Sequence, residues 1–279
     1  MDVWFTENQG PGLRIGCQVK KVLASTKSAY QEIAVYETSS FGRLLALDDV
    51  IQTTERDEFA YHEMIVHVPM FVHGHPRRVL IIGGGDGGCV REVLKHPSVQ
   101  LVKLIEIDPE VTRIAREFLP GISHSLSDNR VSLEFRNGIE YLRETDEQYD
   151  VIIVDCTDPV GPAVGLFSDE FYSDAFKALS DDGVFVEQTE SPFYNLDLIE
   201  RVQRDLKKHF PVVGLYLGAV PTYPGGLWSY SIATKGAELP GDPLIPLTFS
   251  GKYYNAYVHR AAFVLPEFVR KRLGGPPVD

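Results

Sequence analysis

The chain has 279 residues, 44% of them hydrophobic and 24% charged, an ordinary balance for a globular protein with room for a full core and an appended domain. It is acidic: 27 Lys and Arg against 39 Asp and Glu give a net charge of −12, which argues against nucleic-acid or anionic-membrane partners and is compatible with a cationic substrate. Cys17, Cys89 and Cys156 lie far apart, with neither metal-ligand spacing nor a disulfide framework. No secretory leader is visible, and no apolar run approaches the roughly 18 residues of a membrane span, so the expected location is cytoplasmic.

Residues 1–60 read as a small antiparallel β domain. "QVKKVLAST" and "YQEIAVYET" are strand-like, and "SSFGRLLALDD" predicts a hairpin around Gly42. In "ERDEFAYHEMIVHVPMFVH" Phe59, Met64, Ile65 and Val68 recur at helical spacing, with Pro69 expected to limit the helix. From Arg77 strand and helix alternate. "RVLIIG", "LVKLIEID", "VSLEF", "DVIIVD" and "GVFVEQ" are runs suited to strands buried on both faces. Between them lie "CVREVLKH", "PEVTRIAREFL", "IEYLRE" and "SDEFYSDAFKALS". Pro109 suits a first helical turn, and Ser168 an N-cap followed by Asp169 and Glu170. "NLDLIERVQRDLKKHF", "VVGLYL" and "LWSYSIAT" continue the alternation. The pattern predicts a doubly wound α/β domain over residues 61–279, with a mainly parallel sheet. "KGAELPGDPLIPL" reads as a surface connection and "GGPPVD" as a frayed end.

Gly83, Gly85 and Gly88 satisfy G-x-G-x-x-G between a strand and a helix, the context that pattern requires. Glu106 ends the next strand, eighteen residues after Gly88, where a carboxylate can accept from ribose hydroxyls. These features point to a nucleoside ligand and leave NAD and S-adenosyl compounds both open. Asp86, inside the turn, separates them. A carboxylate there opposes a pyrophosphate by on the order of a kcal/mol or more, and more weakly the carboxylate of S-adenosylmethionine. It favours an adenosyl ligand with a cationic tail. "DVIIVDCTDPVGP" adds Asp155 at a strand end and Asp158 three residues on. Ligands of open α/β sheets bind at such ends, so Asp86, Glu106, Asp155 and Asp158 are expected to ring one cleft.

Over nearly its whole length the chain resembles the spermidine synthase family of aminopropyltransferases. The resemblance is carried by "LDDVIQTTERDEFAYHEM", "VLIIGGGDGG", "REVLKHPSV", "EID", "DCTDPVGPA", "PTYPGG" and "KYYNAYVHRAAFVLPEF". It implies a seven-stranded sheet of the S-adenosylmethionine-methyltransferase type. It also implies transfer of a 3-aminopropyl group from decarboxylated S-adenosylmethionine to putrescine, releasing 5′-methylthioadenosine. Decarboxylation leaves the ammonium that Asp86 favours. By resemblance Glu106 holds the ribose, and Asn137 and Gly138 contact adenine. Pro162 lies against the nucleoside, and Gln31 reaches it from the N-terminal sheet. Tyr61, His62 and Asp86 surround the aminopropyl ammonium. Asp155 is the proton acceptor, and Asp158 and Tyr223 bind the diamine. The resemblance further implies a homodimer or homotetramer, with the N-terminal sheet as a plausible interface.

Two positions depart from the family pattern. Asn137 stands where Asp is common, which removes a charge but leaves an amide oxygen to accept from adenine and an amino group to face its N1. Gly225 stands where Ser is common, which is expected to loosen the lid over the diamine.

The implied reaction is an SN2 attack by an amine on the methylene beside a sulfonium. An alkylammonium with a pKa near 10 must first lose a proton. A carboxylate can take it where two buried charges cost more than a neutral acid and a neutral amine. No metal or separate cofactor is needed. His62 and His67, five residues apart, diverge by about 140° on a helix and cannot chelate one ion. His73 and His75 read as surface loop residues, and Cys89 and Cys156 as small packing residues beside the cleft. Rival readings are another acceptor amine (agmatine, cadaverine or spermidine), an amine N-methyltransferase, an NAD-dependent dehydrogenase and a non-catalytic polyamine binder. Asp86 argues against the methyltransferase, and no hydride-site constellation is visible for the dehydrogenase.

Overall fold

A computed structural model describes residues 2–10, 12–157, 161–236 and 238–275. Among the described residues the strands form two sheets. The first is five-stranded and antiparallel, in the order β1 (Val3–Gly10), β2 (Leu13–Lys27), β3 (Glu32–Thr38), β4 (Arg43–Leu47) and β5 (Val50–Thr54). β1 was not expected from the sequence. Its alternation turns Phe5 and Glu7 inward and leaves Val3, Trp4 and Thr6 exposed. The β3–β4 hairpin turns at Gly42 as predicted, with Thr38 N–H donating to the Gly42 carbonyl at 2.9 Å. The β4–β5 turn places Asp48 and Asp49 at φ of 47° and 62°. This is the left-handed pair that a two-residue hairpin of matching twist needs, and Asp tolerates it better than most residues.

Helix α1 (Glu58–His73) joins the two sheets and packs across the second. It does not stop at Pro69. Nearly every residue from Glu58 to Val72 is buried, because the helix is apolar almost all round and is enclosed on every side. That burial outweighs the hydrogen bond lost at proline. The helix ends at Gly74, whose φ of 89° only glycine adopts cheaply and whose N–H donates to Met70 O at 3.0 Å. His73 is therefore helical with its side chain 7% exposed, whereas His75 is exposed as expected. Glu63, on α1, accepts the N–H groups of Lys252, Tyr253 and Tyr254, each at 2.8 Å, and so anchors the C-terminal segment.

The remaining elements, in chain order, are β6 (Arg78–Gly83), α2 (Gly88–Val93), β7 (Leu101–Glu106), α3 (Pro109–Phe118), α4 (Pro120–Ser123), β8 (Val131–Phe135), α5 (Gly138–Glu144) and β9 (Tyr149–Asp155). They continue with α6 (Asp169–Ala178), β10 (Leu179–Gln188), α7 (Leu196–Leu206), β11 (Val212–Ala219), β12 (Leu227–Thr234), α8 (Ala256–Ala262) and α9 (Glu267–Arg272). The second sheet is seven-stranded in the order β11-β12-β10-β9-β6-β7-β8, parallel from β10 to β8, with β12 antiparallel to both its neighbours. Ser168 caps α6 through a bond from Phe171 N–H, as predicted. Ile33, Val35, Leu45 and Leu47 of the first sheet pack against Val111 and Ile114 of α3, which brings the two sheets to one cleft. The connection after β12 is a surface segment as expected, tied down where Leu244 N–H donates to Phe71 O at 3.1 Å and half-buried Ile245, Leu247 and Phe249 pack on the core. Of the end predicted to fray, residues 276–279 lie outside the described residues.

Candidate active site

β6 has β7 on one side and β9 on the other, so the chain reverses direction across the sheet between β6 and β9. Loops after these strands diverge and open a crevice at their carboxyl ends. A cavity of about 460 Å³ lies there, within the range of small-molecule sites. Gln31, Tyr61, Asp86, Glu106, Asn137, Gly138, Asp155 and Tyr223 all line it. Asp158 and the side chain of Pro162 lie outside the described residues.

The glycine turn is shaped by contact with β9. Gly83 has φ of 81°, and a Cβ there would sit 2.1 Å from the Asp155 carbonyl oxygen, so no side chain fits. Gly85 N–H donates to Glu106 Oε2 at 3.0 Å, and Asp108 N–H to Oε1 at 2.8 Å. Burial nevertheless pushes the Glu106 carboxyl up to about 7, because desolvation outweighs these bonds. Asp108 caps α3 and also accepts from Gln31 Nε2 at 2.9 Å and Ser28 Oγ at 2.6 Å. That bridge holds Gln31, in the β2–β3 connection, at the Glu106 end of the cavity.

Asn137 is the N-cap of α5. Its Oδ1 accepts from Ile139 N–H at 2.8 Å and Glu140 N–H at 3.4 Å. The oxygen expected to face adenine is thus spent on the helix, and the amino group is what remains for a ligand. Gly138 lets α5 close on β6, since a Cβ would meet Ile82 at 2.4 Å.

At the other end Asp155 receives two donors, Tyr61 Oη at 2.7 Å on Oδ1 and Cys89 Sγ at 3.0 Å on Oδ2. Tyr61 therefore fixes the Asp155 carboxylate. Cys89 does more than pack. Burial and the Asp155 charge push its thiol well up, so it stays a donor. Asp86 accepts Gly88 N–H at 2.8 Å. His62 does not line the cavity: its ring is buried behind Asp86, with Nε2 3.6 Å from Asp86 Oδ2. Tyr223 donates its hydroxyl to the Gln52 carbonyl at 2.5 Å and packs at a tilt against Tyr61 and edge-on against Trp228. Its ring lines the cavity as an aromatic face that a cation can approach. Gly225 has φ of 72° in a turn closed by Gly226 N–H to Tyr223 O at 2.8 Å. Glycine suits that turn.

The sequence reading missed Glu7, Asp48, Gln52, Gln188 and Trp228, which also line the cavity. Only the alternation of β1, which turns Glu7 inward beside Phe5, carried any advance signal. His62, Cys89 and Asp155 bring possible metal-ligand atoms within 4.8 Å of one another. Each is already engaged within the protein, the thiol with Asp155 and the imidazole with Glu58.

This strand order, with its cleft at the switch point and an acid at the end of β7, defines a transferase fold of the S-adenosylmethionine-methyltransferase type. Comparison with known proteins narrows the class. The spermine/spermidine synthase domain matches residues 58–242 and the spermidine synthase tetramerisation domain residues 3–55. Polyamine aminopropyltransferases from Moorella thermoacetica and Bacillus subtilis are 53% and 45% identical, over 98% and 96% of this chain and 97% and 98% of theirs. A spermidine synthase crystallised with the transition-state analogue AdoDATO superposes with a TM-score of 0.94 at 43% identity, over 98% of this chain and 95% of that one. The Thermotoga maritima spermidine synthase gives 0.92 at 43% identity, over 98% and 94%. The chain belongs to the spermine/spermidine synthase family and is an enzyme of the polyamine aminopropyltransferase type.

Proposed function

We propose that the protein is a spermidine synthase, transferring the 3-aminopropyl group of decarboxylated S-adenosylmethionine to putrescine. One observation carries the reading. The described lining of the cavity includes the carboxylates of Glu7, Asp48, Asp86, Glu106 and Asp155 and no Lys, Arg or His. Such a cleft concentrates cations and repels phosphates and carboxylates. Glu106 and Gln31 hold the nucleoside, with Asn137 and Gly138 beside it; Pro162 joins them by resemblance alone. Asp86 takes the aminopropyl ammonium. Asp155, Asp158 and Tyr223 take the diamine.

In this reading Tyr61 and Cys89 fix Asp155 so that one carboxylate edge faces the attacking nitrogen. The ammonium gives its proton to Asp155. The freed lone pair forms the new C–N bond on the methylene beside the sulfonium, and the C–S electrons leave with sulfur as neutral 5′-methylthioadenosine. The product nitrogen stays protonated as a secondary ammonium, and Asp155 passes its proton to solvent, so one proton leaves per turnover. Holding the amine in line supplies much of the rate, and no metal or separate cofactor takes part. Residues 61–279 form the catalytic domain. Residues 1–60 serve assembly, in a homodimer or homotetramer, which the tetramerisation match and the exposure of Trp4 and Val22 support. No described helix is long and apolar enough to cross a membrane; the reading is of a cytoplasmic enzyme.

The test is purified protein with decarboxylated S-adenosylmethionine and a panel of putrescine, cadaverine, agmatine and spermidine, with products identified by mass. Spermidine and methylthioadenosine in equal amounts, formed fastest from putrescine, are expected. Preference for another amine would reassign the acceptor, and no transfer to any amine would sink the proposal.

A further inference from the structure

Behind Asp86 lies a chain of buried charges that takes no part in the chemistry above. Glu58 opens α1 with its side chain 5% exposed. Arg91, from α2, grips it with both ends of the guanidinium, Nη1 to Oε1 at 3.0 Å and Nη2 to Oε2 at 2.7 Å. Glu58 Oε2 is 2.6 Å from His62 Nδ1, one turn further along α1. The far side of the same imidazole looks at Asp86, 3.6 Å away.

Space as well as charge holds the ring. A Cβ at Gly88 would stand 2.2 Å from His62 Cε1, so the third glycine of the turn is the floor under the imidazole. Tyr61 closes one side edge-on, at 5.4 Å between centroids. The groups facing His62 are thus Glu58 and Tyr61 from α1, Asp86 from the turn, Cys89 from α2 and Asp155 from β9. An Nδ1 bonded to a carboxylate at this distance carries a hydrogen, because the carboxylate can only accept.

We propose that Glu58 is a positioning residue for the ammonium pocket: clamped by Arg91, it takes the Nδ1–H of His62 and keeps the ring's Nε2–H turned to Asp86. The imidazolium then balances Asp86 in the empty site and keeps that carboxylate ionised against the burial that pushes it up. Asp86 meets the incoming ammonium already charged and already aimed. Asp86, Glu58 and Asp155 raise the imidazolium to about 9 against its burial, and the pairing with His62 and Arg91 holds Glu58 down at about 2. The pocket's role rests on the function proposed above, but the Glu58–His62–Asp86 coupling does not.

The experiment follows the His62 ring by ¹⁵N NMR through a pH titration of the intact enzyme and of Glu58→Gln, which keeps the shape and an acceptor oxygen but removes the charge. In the parent enzyme both ring nitrogens should be protonated at pH 8. In E58Q the midpoint should fall by at least one pH unit, a tenfold change in proton affinity. At pH 8 E58Q should bind decarboxylated S-adenosylmethionine at least fivefold more weakly, with 5′-methylthioadenosine unchanged within twofold. Glu58→Asp should restore part of the midpoint. An unshifted midpoint in E58Q would overturn the inference. So would a neutral ring at pH 8 in the parent enzyme, which decides the matter even if E58Q does not fold. A shifted midpoint in a protein that binds no decarboxylated S-adenosylmethionine would uphold the coupling and sink the functional reading instead.

Discussion

Replacing Asp86 by asparagine removes one charge and little else. The amide oxygen can still accept Gly88 N–H, now bonded at 2.8 Å, so the turn before α2 should survive. What is lost is attraction for the ligand's ammonium. Two unit charges about 4 Å apart interact by about 4 kcal/mol at an effective dielectric constant near 20. The cationic ring of His62, 3.6 Å from the same carboxylate, already neutralises part of that field. Half of the figure, about 2 kcal/mol, is a reasonable net loss and corresponds to about 30-fold in affinity. The natural control is 5′-methylthioadenosine, which has the nucleoside and sulfur but no ammonium, and it should change less than threefold. Calorimetric titration of both ligands into both proteins reads the difference. Repetition at high salt should leave most of it, since a cleft this enclosed is poorly screened. Equal losses for the two ligands would refute the charge argument and make Asp86 a structural residue of the turn.

Asp155→Asn should abolish turnover while leaving methylthioadenosine affinity nearly unchanged; near-normal single-turnover rates would remove Asp155 from the proton path. Because burial holds the Glu106 carboxyl up at about 7 and ribose hydroxyls need an acceptor, methylthioadenosine affinity should fall as pH drops below about 7, by up to tenfold per pH unit. Glu106→Gln should abolish that pH dependence, and a flat profile in the parent enzyme would contradict it. Gly88→Ala pushes a methyl into the His62 ring and should cost about 1–3 kcal/mol in urea unfolding; an unchanged midpoint would show that the ring can move aside.

The sequence carried the site best where strand, turn and helix follow one another directly. Gly83, Asp86 and Glu106 could be placed because a strand end and the next helix start confine them within a few residues. Asp155 could be placed for the same reason. Where a residue's role depends on a distant partner, the local pattern was silent or misleading. Asn137 reads as an oxygen acceptor for a ligand until that oxygen is found capping α5, which leaves its amino group for the cavity. Cys89 reads as filler until Asp155, 66 residues on, is found within its reach. Pro69 reads as a helix stop because local sequence cannot show that α1 is enclosed on all sides. Glu58 and Arg91, 33 residues apart, look like ordinary surface charges, and only the packing of α1 on α2 buries them together. The carboxylates of Glu7 and Asp48 join the cleft because the first sheet packs on α3, a contact with no short-range signature.

The most direct test of a cleft built for a cationic tail compares two ligands that differ by one carboxylate. Decarboxylated and intact S-adenosylmethionine share the nucleoside, the sulfonium and the amine-bearing chain. With Glu7, Asp48, Asp86, Glu106 and Asp155 in the described lining and no basic side chain there to receive an anion, the unmodified enzyme should bind the decarboxylated compound at least tenfold more tightly. Equal affinity, or a preference for the intact compound, would contradict the assignment of Asp86 and point to methyl transfer.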